Sequence, residues 1–145
     1  MSDHPLEVPE GFTPHGRHSP LTEPWEPLFS RVLDSAVILG LHVRSAHTNS
    51  RGMVHGGLIS ALADNAMGLS CGRHQPEGTR LVTASLAVDF LGPATIGQWL
   101  TVETDFVKPG RTLSFAQCFV KADGKPVARA NASFAVARPA NSGAP

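Results

Sequence analysis

Charge is scarce in this chain and evenly split. Twelve Lys and Arg offset twelve Asp and Glu among 145 residues, so the formal net charge is zero. A nucleic-acid scaffold needs a strongly basic face, and this balance argues against one. Near-neutrality favours association between copies instead. Cysteine is scarcer still, with only Cys71 and Cys118. One falls in a helical pattern and the other in a strand pattern, among small or apolar neighbours, so two reduced, buried thiols are expected. No apolar run approaches the roughly 18–20 residues that a membrane span needs. Met1 to Glu10 is polar and broken by proline, where a signal peptide would carry its apolar region. The expected content is one globular domain in the cytoplasm.

What the chain does have is unevenly distributed. Six of its twelve prolines, Pro5 to Pro27, lie in the first 27 residues. Proline lacks an amide donor and resists helix and sheet, so residues 1–27 read as an extended arm. His4, His15 and His18 fall in it at a spacing that matches no metal-ligand pattern; solvated side chains are expected, and no metal. Residues 139–145 read as a frayed tail, which leaves 28–138 as the domain. Trp25, Leu28, Phe29, Val32 and Leu33 give a short helical pattern with one apolar side. Ser35 to Ala46 is rich in Val, Ile and Leu and reads as a first strand.

The second half is patterned for strands. Val82, Ala84, Leu86, Val88 and Phe90 alternate with Thr83, Ser85 and Asp89 on the other face, and Gly92-Pro93 ends the run. Three further strands are expected over Gln98–Lys108, Thr112–Ala122 and Pro126–Ala137. Pro109-Gly110 suits a type II turn between the first two, and Asp123-Gly124 is a strong hairpin signal between the last two. The pattern predicts an antiparallel meander.

His55 to Gly72 is the one long helical segment among these strands. At 100° per residue it has an apolar stripe of Leu58, Ile59, Leu62, Ala66 and Leu69. The opposite face carries Gly57, Ser60, Ala61, Asp64, Gly68 and Cys71, small residues where a solvated face would show Lys and Glu. Both sides are therefore expected to be covered. Asp64 is the only charged residue between Arg51 and Arg73. A carboxylate on an enclosed face is costly unless it is hydrogen-bonded or functional. Gly56-Gly57 at the helix start leaves amides open to a developing oxyanion. Gly57 and Asp64 share a face but stand roughly 10 Å apart along the axis, too far to act on one carbon. Two such helices packed antiparallel about a two-fold axis would bring Gly57 of one copy to Asp64 of the other.

These residues resemble a known family. Asn49-x2-Gly52-x2-His55-Gly56-Gly57-x6-Asp64 resembles the signature of the PaaI-like (phenylacetate-degradation type) hot-dog thioesterases. Thr83 to Ala94 resembles that family's next strand, and Lys108 to Thr112 and Gly124 to Val127 resemble its later hairpins. The likeness covers roughly residues 28–138 and leaves the arm unexplained. It implies an α+β fold, a five- or six-stranded antiparallel sheet curled around the central helix, in homodimers and often homotetramers. It also implies acyl-CoA or aryl-CoA substrates and no separate cofactor, coenzyme A being part of the substrate. Asp64 then corresponds to the carboxylate that activates water or attacks directly. Gly57 supplies an amide to the thioester carbonyl, Asn49 and His55 hold that end, and Thr83 orients the water. Arg80, Lys108 and Arg111 are candidates for the CoA phosphates.

Two other functions fit the same fold. A hot-dog enoyl-CoA hydratase needs an Asp/His pair a few residues apart in a loop ahead of a helix, whereas His55 precedes Asp64 by nine. A non-catalytic acyl-CoA sensor would normally add a DNA-binding helix pair, which the arm cannot supply, and would not need Asp64.

Overall fold

A computed structural model describes residues 6–139; His4 and most of the expected tail lie outside them. Seven strands form one sheet: β1 (Thr13–Pro14), β2 (Phe29–Val32), β3 (Val37–His42), β4 (Arg80–Phe90), β5 (Trp99–Lys108), β6 (Leu113–Ala122) and β7 (Lys125–Ala137). Their order is β1-β2-β3-β5-β6-β7-β4, and every neighbouring pair is antiparallel. The sheet curls around α1 (Gly56–Gly72), the one α-helix among the described residues, which packs against β3, β4, β5, β6 and β7. This is an α+β hot-dog architecture. Its two extra N-terminal strands take it past the five or six expected.

Three expectations change at this level. The helical pattern over Trp25–Leu33 is a 3-10 turn at Glu23–Trp25 followed by strand β2. A short apolar run does not distinguish the two periods. Here Phe29 to Val32 find partners in Gly40 to Val37, across a turn closed by Leu33 N donating to Ala36 O at 2.8 Å. Second, only β5, β6 and β7 form a meander; β4 crosses to the far edge and pairs with β7 alone. Third, Gly110 does not adopt the positive φ of a type II turn. Glycine is needed there because a Cβ would collide with the Leu113 carbonyl oxygen. Asp123-Gly124 turns as expected, with φ of 48° and 81° in a two-residue hairpin loop.

The core lies between α1 and the concave face of the sheet. Leu58, Ile59, Leu62, Ala63, Ala66 and Met67 from α1 meet Leu39, Leu41, Leu100, Val102, Val120 and Phe134, all less than 9% exposed. Cys71 is part of this core rather than of the small helix face, and Cys118 is buried too. Burial pushes their thiols up to about 11 and about 12, so both stay protonated at neutral pH.

The arm is built onto the sheet. Thr13 and Pro14 pair with Ser30 and Phe29. Phe12 stands edge-on to Trp99 with ring centroids 5.2 Å apart, and His42 Nε2 donates to Glu7 O at 2.9 Å. His47 anchors the following segment from inside. It is 1% exposed, its Nδ1 accepts from Arg44 N at 2.9 Å, and its Nε2 donates to Trp25 O at 2.9 Å. Both ring nitrogens are satisfied only by the neutral tautomer protonated on Nε2.

Burial, aided by Arg44 and opposed by the bond to Trp25 O, holds the His47 pKa below its ordinary 6.5. The unfolded chain therefore takes up the proton first. The stabilisation is complete above pH 6.5 and declines as pH falls through that value toward the lower folded pKa. His15, lowered chiefly by its own burial, acts with the same sign. His47→Asn keeps an acceptor but not the reach to Trp25 O. We expect it to cost about 1–3 kcal/mol at neutral pH and to flatten the fall of Tm between about pH 7 and pH 5, as read by thermal melts across that range.

Candidate active site

The site begins in the loop before α1. Asn49 Oδ1 accepts from Arg51 N at 2.9 Å and Met53 N at 3.2 Å, and Asn49 N donates to Met53 O at 2.8 Å. Gly52, at φ 74°, closes the turn by donating to Asn49 O. Asn49 thus shapes this loop through its carboxamide oxygen. The loop delivers His55 as the N-cap of α1, its own amide bound to His47 O at 2.9 Å.

His55 Nδ1 accepts from Gly57 N at 2.8 Å. This bond places the ring proton on Nε2 and leaves the amide expected to receive a carbonyl already paired in the free chain. It also explains the two glycines. A Cβ on Gly57 would lie 2.9 Å from His55 Nδ1, and one on Gly56 would lie 3.1 Å from Phe90 Cζ. Two rings lie against the helix start where side chains would otherwise be.

Asp64 stands two turns further along α1 and is half-buried. Thr83 Oγ1 donates to Asp64 Oδ1 at 2.6 Å, so the structure joins these two sequence-expected residues directly. Simple alternation would put Thr83 on the same face as Ser85. The register shifts there instead: Thr83 opposes Phe134, Ser85 opposes Ser133, and Ala84 is the extra residue of a β-bulge. Phe134 is in the core, whereas Ser85 bonds Ser133 at 2.8 Å on the outer face. The bulge turns Thr83 inward to the helix, on the face of Leu86, Val88 and Phe90; Val82 goes to the opposite side.

The carboxylate and hydroxyl open onto a groove of about 1070 Å³. Its floor is the small face of α1, including Asn65 and Gly68, and one wall is the start of β4. The other wall includes His15, Gly16, Ser19 and Thr22 of the arm. Sequence reasoning missed these arm residues, because proline density signals absence of helix and not where an extended segment docks. Arg80 lines the groove; Lys108 and Arg111 lie at the same end of the sheet but outside it. The three basic residues are not gathered into one cradle. Gly57 and Asp64, on one helix, remain separated by roughly 10 Å along its axis.

An antiparallel sheet wrapped around a glycine-started helix is the hot-dog fold, and the chain is a thioester hydrolase of that fold. Residues 51–128 match the model of the Thioesterase superfamily, and the chain belongs to that superfamily. It is 35% identical over 130 residues to a Pseudomonas aeruginosa protein provisionally named an esterase, covering 89% of this chain and 97% of that one. With acyl-coenzyme A thioesterase 13 of Mus musculus it shares 30% identity over 116 residues, covering 71% of this chain and 81% of the mouse protein. The solved structure of a variant of phenylacetic acid degradation protein PaaI from Thermus thermophilus has the same fold. Its TM-score is 0.71 at 24% identity, over 81% of this chain and 98% of that one. The Pseudomonas match extends beyond the residues of the family model. It takes in about 129 of 145 residues, more than the 118 that follow Pro27, and so reaches into the arm.

Thr83→Val retains shape and removes the hydroxyl. We expect slower thioester hydrolysis with an unchanged circular dichroism spectrum; an undiminished rate would mean that the Thr83–Asp64 bond is only structural.

Proposed function

We propose that the chain is an acyl-CoA thioesterase that works as a homodimer, with Asp64 as the general base. The observation that carries this reading is the 2.6 Å bond holding Asp64 to Thr83 at the groove. Thr83 occupies Oδ1 and fixes the carboxylate plane. The carboxylate and the hydroxyl oxygen are then two acceptors for one water. As that water attacks the thioester carbon, Asp64 takes its proton. The C–S bond breaks, the CoA thiolate regains a proton from Asp64, and the free acid leaves. An ordinary aspartate pKa is about 3.9, so the rate depends on how well the water is placed.

The carbonyl oxygen needs a donor that Asp64's own helix holds too far away. The partner subunit's Gly57 supplies it. Two features support that assembly. β4 is an eleven-residue edge strand with a neighbour on one side only. Along it Val82 and Phe90 are 64% and 56% exposed. A long, bare, apolar edge invites pairing with another strand, and a second β4 laid antiparallel extends the sheet while bringing the two small helix faces together. His55 holds the Gly57 amide until the substrate carbonyl displaces its ring, and Asn49 holds the loop that carries both. These two are positioning residues.

Asp64→Asn should fold and assemble as the parent does and lose on the order of 10²–10⁴ in turnover, measured by thiol release from a panel of acyl-CoAs. Turnover at the parent rate would remove Asp64 from the chemistry. In single-turnover hydrolysis in labelled water, the label should enter the acid product and not the Asp64 carboxyl, which a covalent anhydride would label. Ala61→Glu, which places a charge on the small helix face, should yield an inactive monomer by light scattering; an active monomer would reject the shared site.

A further inference from the structure

The groove continues well past the reacting groups. Asp64, Gly68 and Gly72, with Asn65, Leu69 and Arg73 beside them, line it along the small face of α1. Eight residue steps of helix separate Asp64 from Gly72, roughly 12 Å. The buried residues of the lining are Leu28, Val37, Leu39 and Phe134 with Thr22 and Ser30, whereas Arg17, His18, Arg73, Glu77 and Arg80 line it where it is exposed. The buried Leu28, Val37, Leu39 and Phe134 suit a hydrocarbon or aryl group better than the amides of a pantetheine chain.

The arm segment over this groove is fixed at both ends. Thr13 is paired with Ser30, and His15 N donates to Leu28 O at 2.9 Å. Thr22, 3% exposed, closes a turn by donating to Ser19 O at 3.2 Å. Trp25 O then receives His47 Nε2–H and Arg44 Nη2–H. Residues 15–22 therefore form a rigid wall of the groove.

We propose that this arm is the specificity wall of the enzyme. The acyl group of a thioester held at Asp64 runs along the glycine stripe toward the C-terminal end of α1, beneath residues 15–22, and the arm sets the length and girth accepted. This inference rests on the reading of Asp64 as the catalytic carboxylate. The favoured class is medium-chain and arylalkyl acyl groups; an extended long-chain fatty acyl group overruns the stripe. Arg80 stands at the acyl end on this reading, which removes it from the candidates for the CoA phosphates.

Gly16 provides the test. It lines the groove, its φ is unstrained, and a Cβ there meets no atom within 4 Å. Gly16→Trp adds bulk at a wall position where the Cβ itself meets open space. Hydrolysis of acetyl-, hexanoyl-, decanoyl- and phenylacetyl-CoA is compared with that of the same acyl groups on N-acetylcysteamine. The ratio of kcat/KM for decanoyl over acetyl should fall by about tenfold or more on both carriers. Lys125→Trp, on the exposed hairpin, should leave that ratio unchanged. In the Asp64→Asn background, Gly16→Trp should weaken calorimetric binding of decanoyl-CoA more than of acetyl-CoA. An unchanged ratio, or a loss equal for every acyl group and seen only with the CoA carrier, overturns the proposal. Parent protein that hydrolyses none of these thioesters, or Asp64→Asn that hydrolyses them at full rate, overturns the catalytic reading instead, and the two failures are distinguishable.

Discussion

The bond from Thr83 to Asp64 joins the helix that the sheet wraps to an exposed edge strand. Asp64 belongs to a helix wrapped by sheet, whereas Thr83 belongs to an edge strand whose side chains face solvent along nearly its whole length. The bond exists because one extra residue, Ala84, interrupts the alternation of β4 and turns the hydroxyl toward the helix. The orientation of the carboxylate follows from this contact. With Thr83 on the outer face, Asp64 would line the same cleft with nothing to fix its plane.

The small residues of α1 set a second constraint. The core face of the helix is filled by Leu, Ile and Met, as any buried helix requires. The other face is kept low by glycine and alanine, which opens room for a groove and for close approach of a second helix. On the proposed reading, association and ligand binding draw on the same surface. On that reading the oxyanion donor and the base lie two turns apart on one helix, and a two-fold axis is the least costly way for one sequence to bring them together.

The arm connects the site to the rest of the fold. Its backbone is held by β2, its tip by Trp99 and His42, and its following turn by the buried ring of His47. His47 O in turn accepts the amide of His55, the residue that caps α1. One buried imidazole and its peptide group therefore lie between the wall of the groove and the start of α1.

Sequence alone determined whatever depends on local periodicity or on the conformational limits of one or two residues. The central helix, the four long strands, the Asp123-Gly124 hairpin, the buried thiols and the singular position of Asp64 are of this kind. Contacts between distant segments decided the rest. β4 leaves the meander because its partner is chosen by sheet closure around α1, a non-local matter that alternation does not encode. Phe29–Val32 became a strand because β3 offered an edge, and Cys71 entered the core because the sheet reaches further round the helix end than the projected stripe implied. Thr83 faces inward through a bulge visible only in the pairing register. The arm's role as a wall emerges only when Pro14, Leu28 and Ser30 come together, since an extended segment has no side-chain period of its own and takes its position from the surface that receives it.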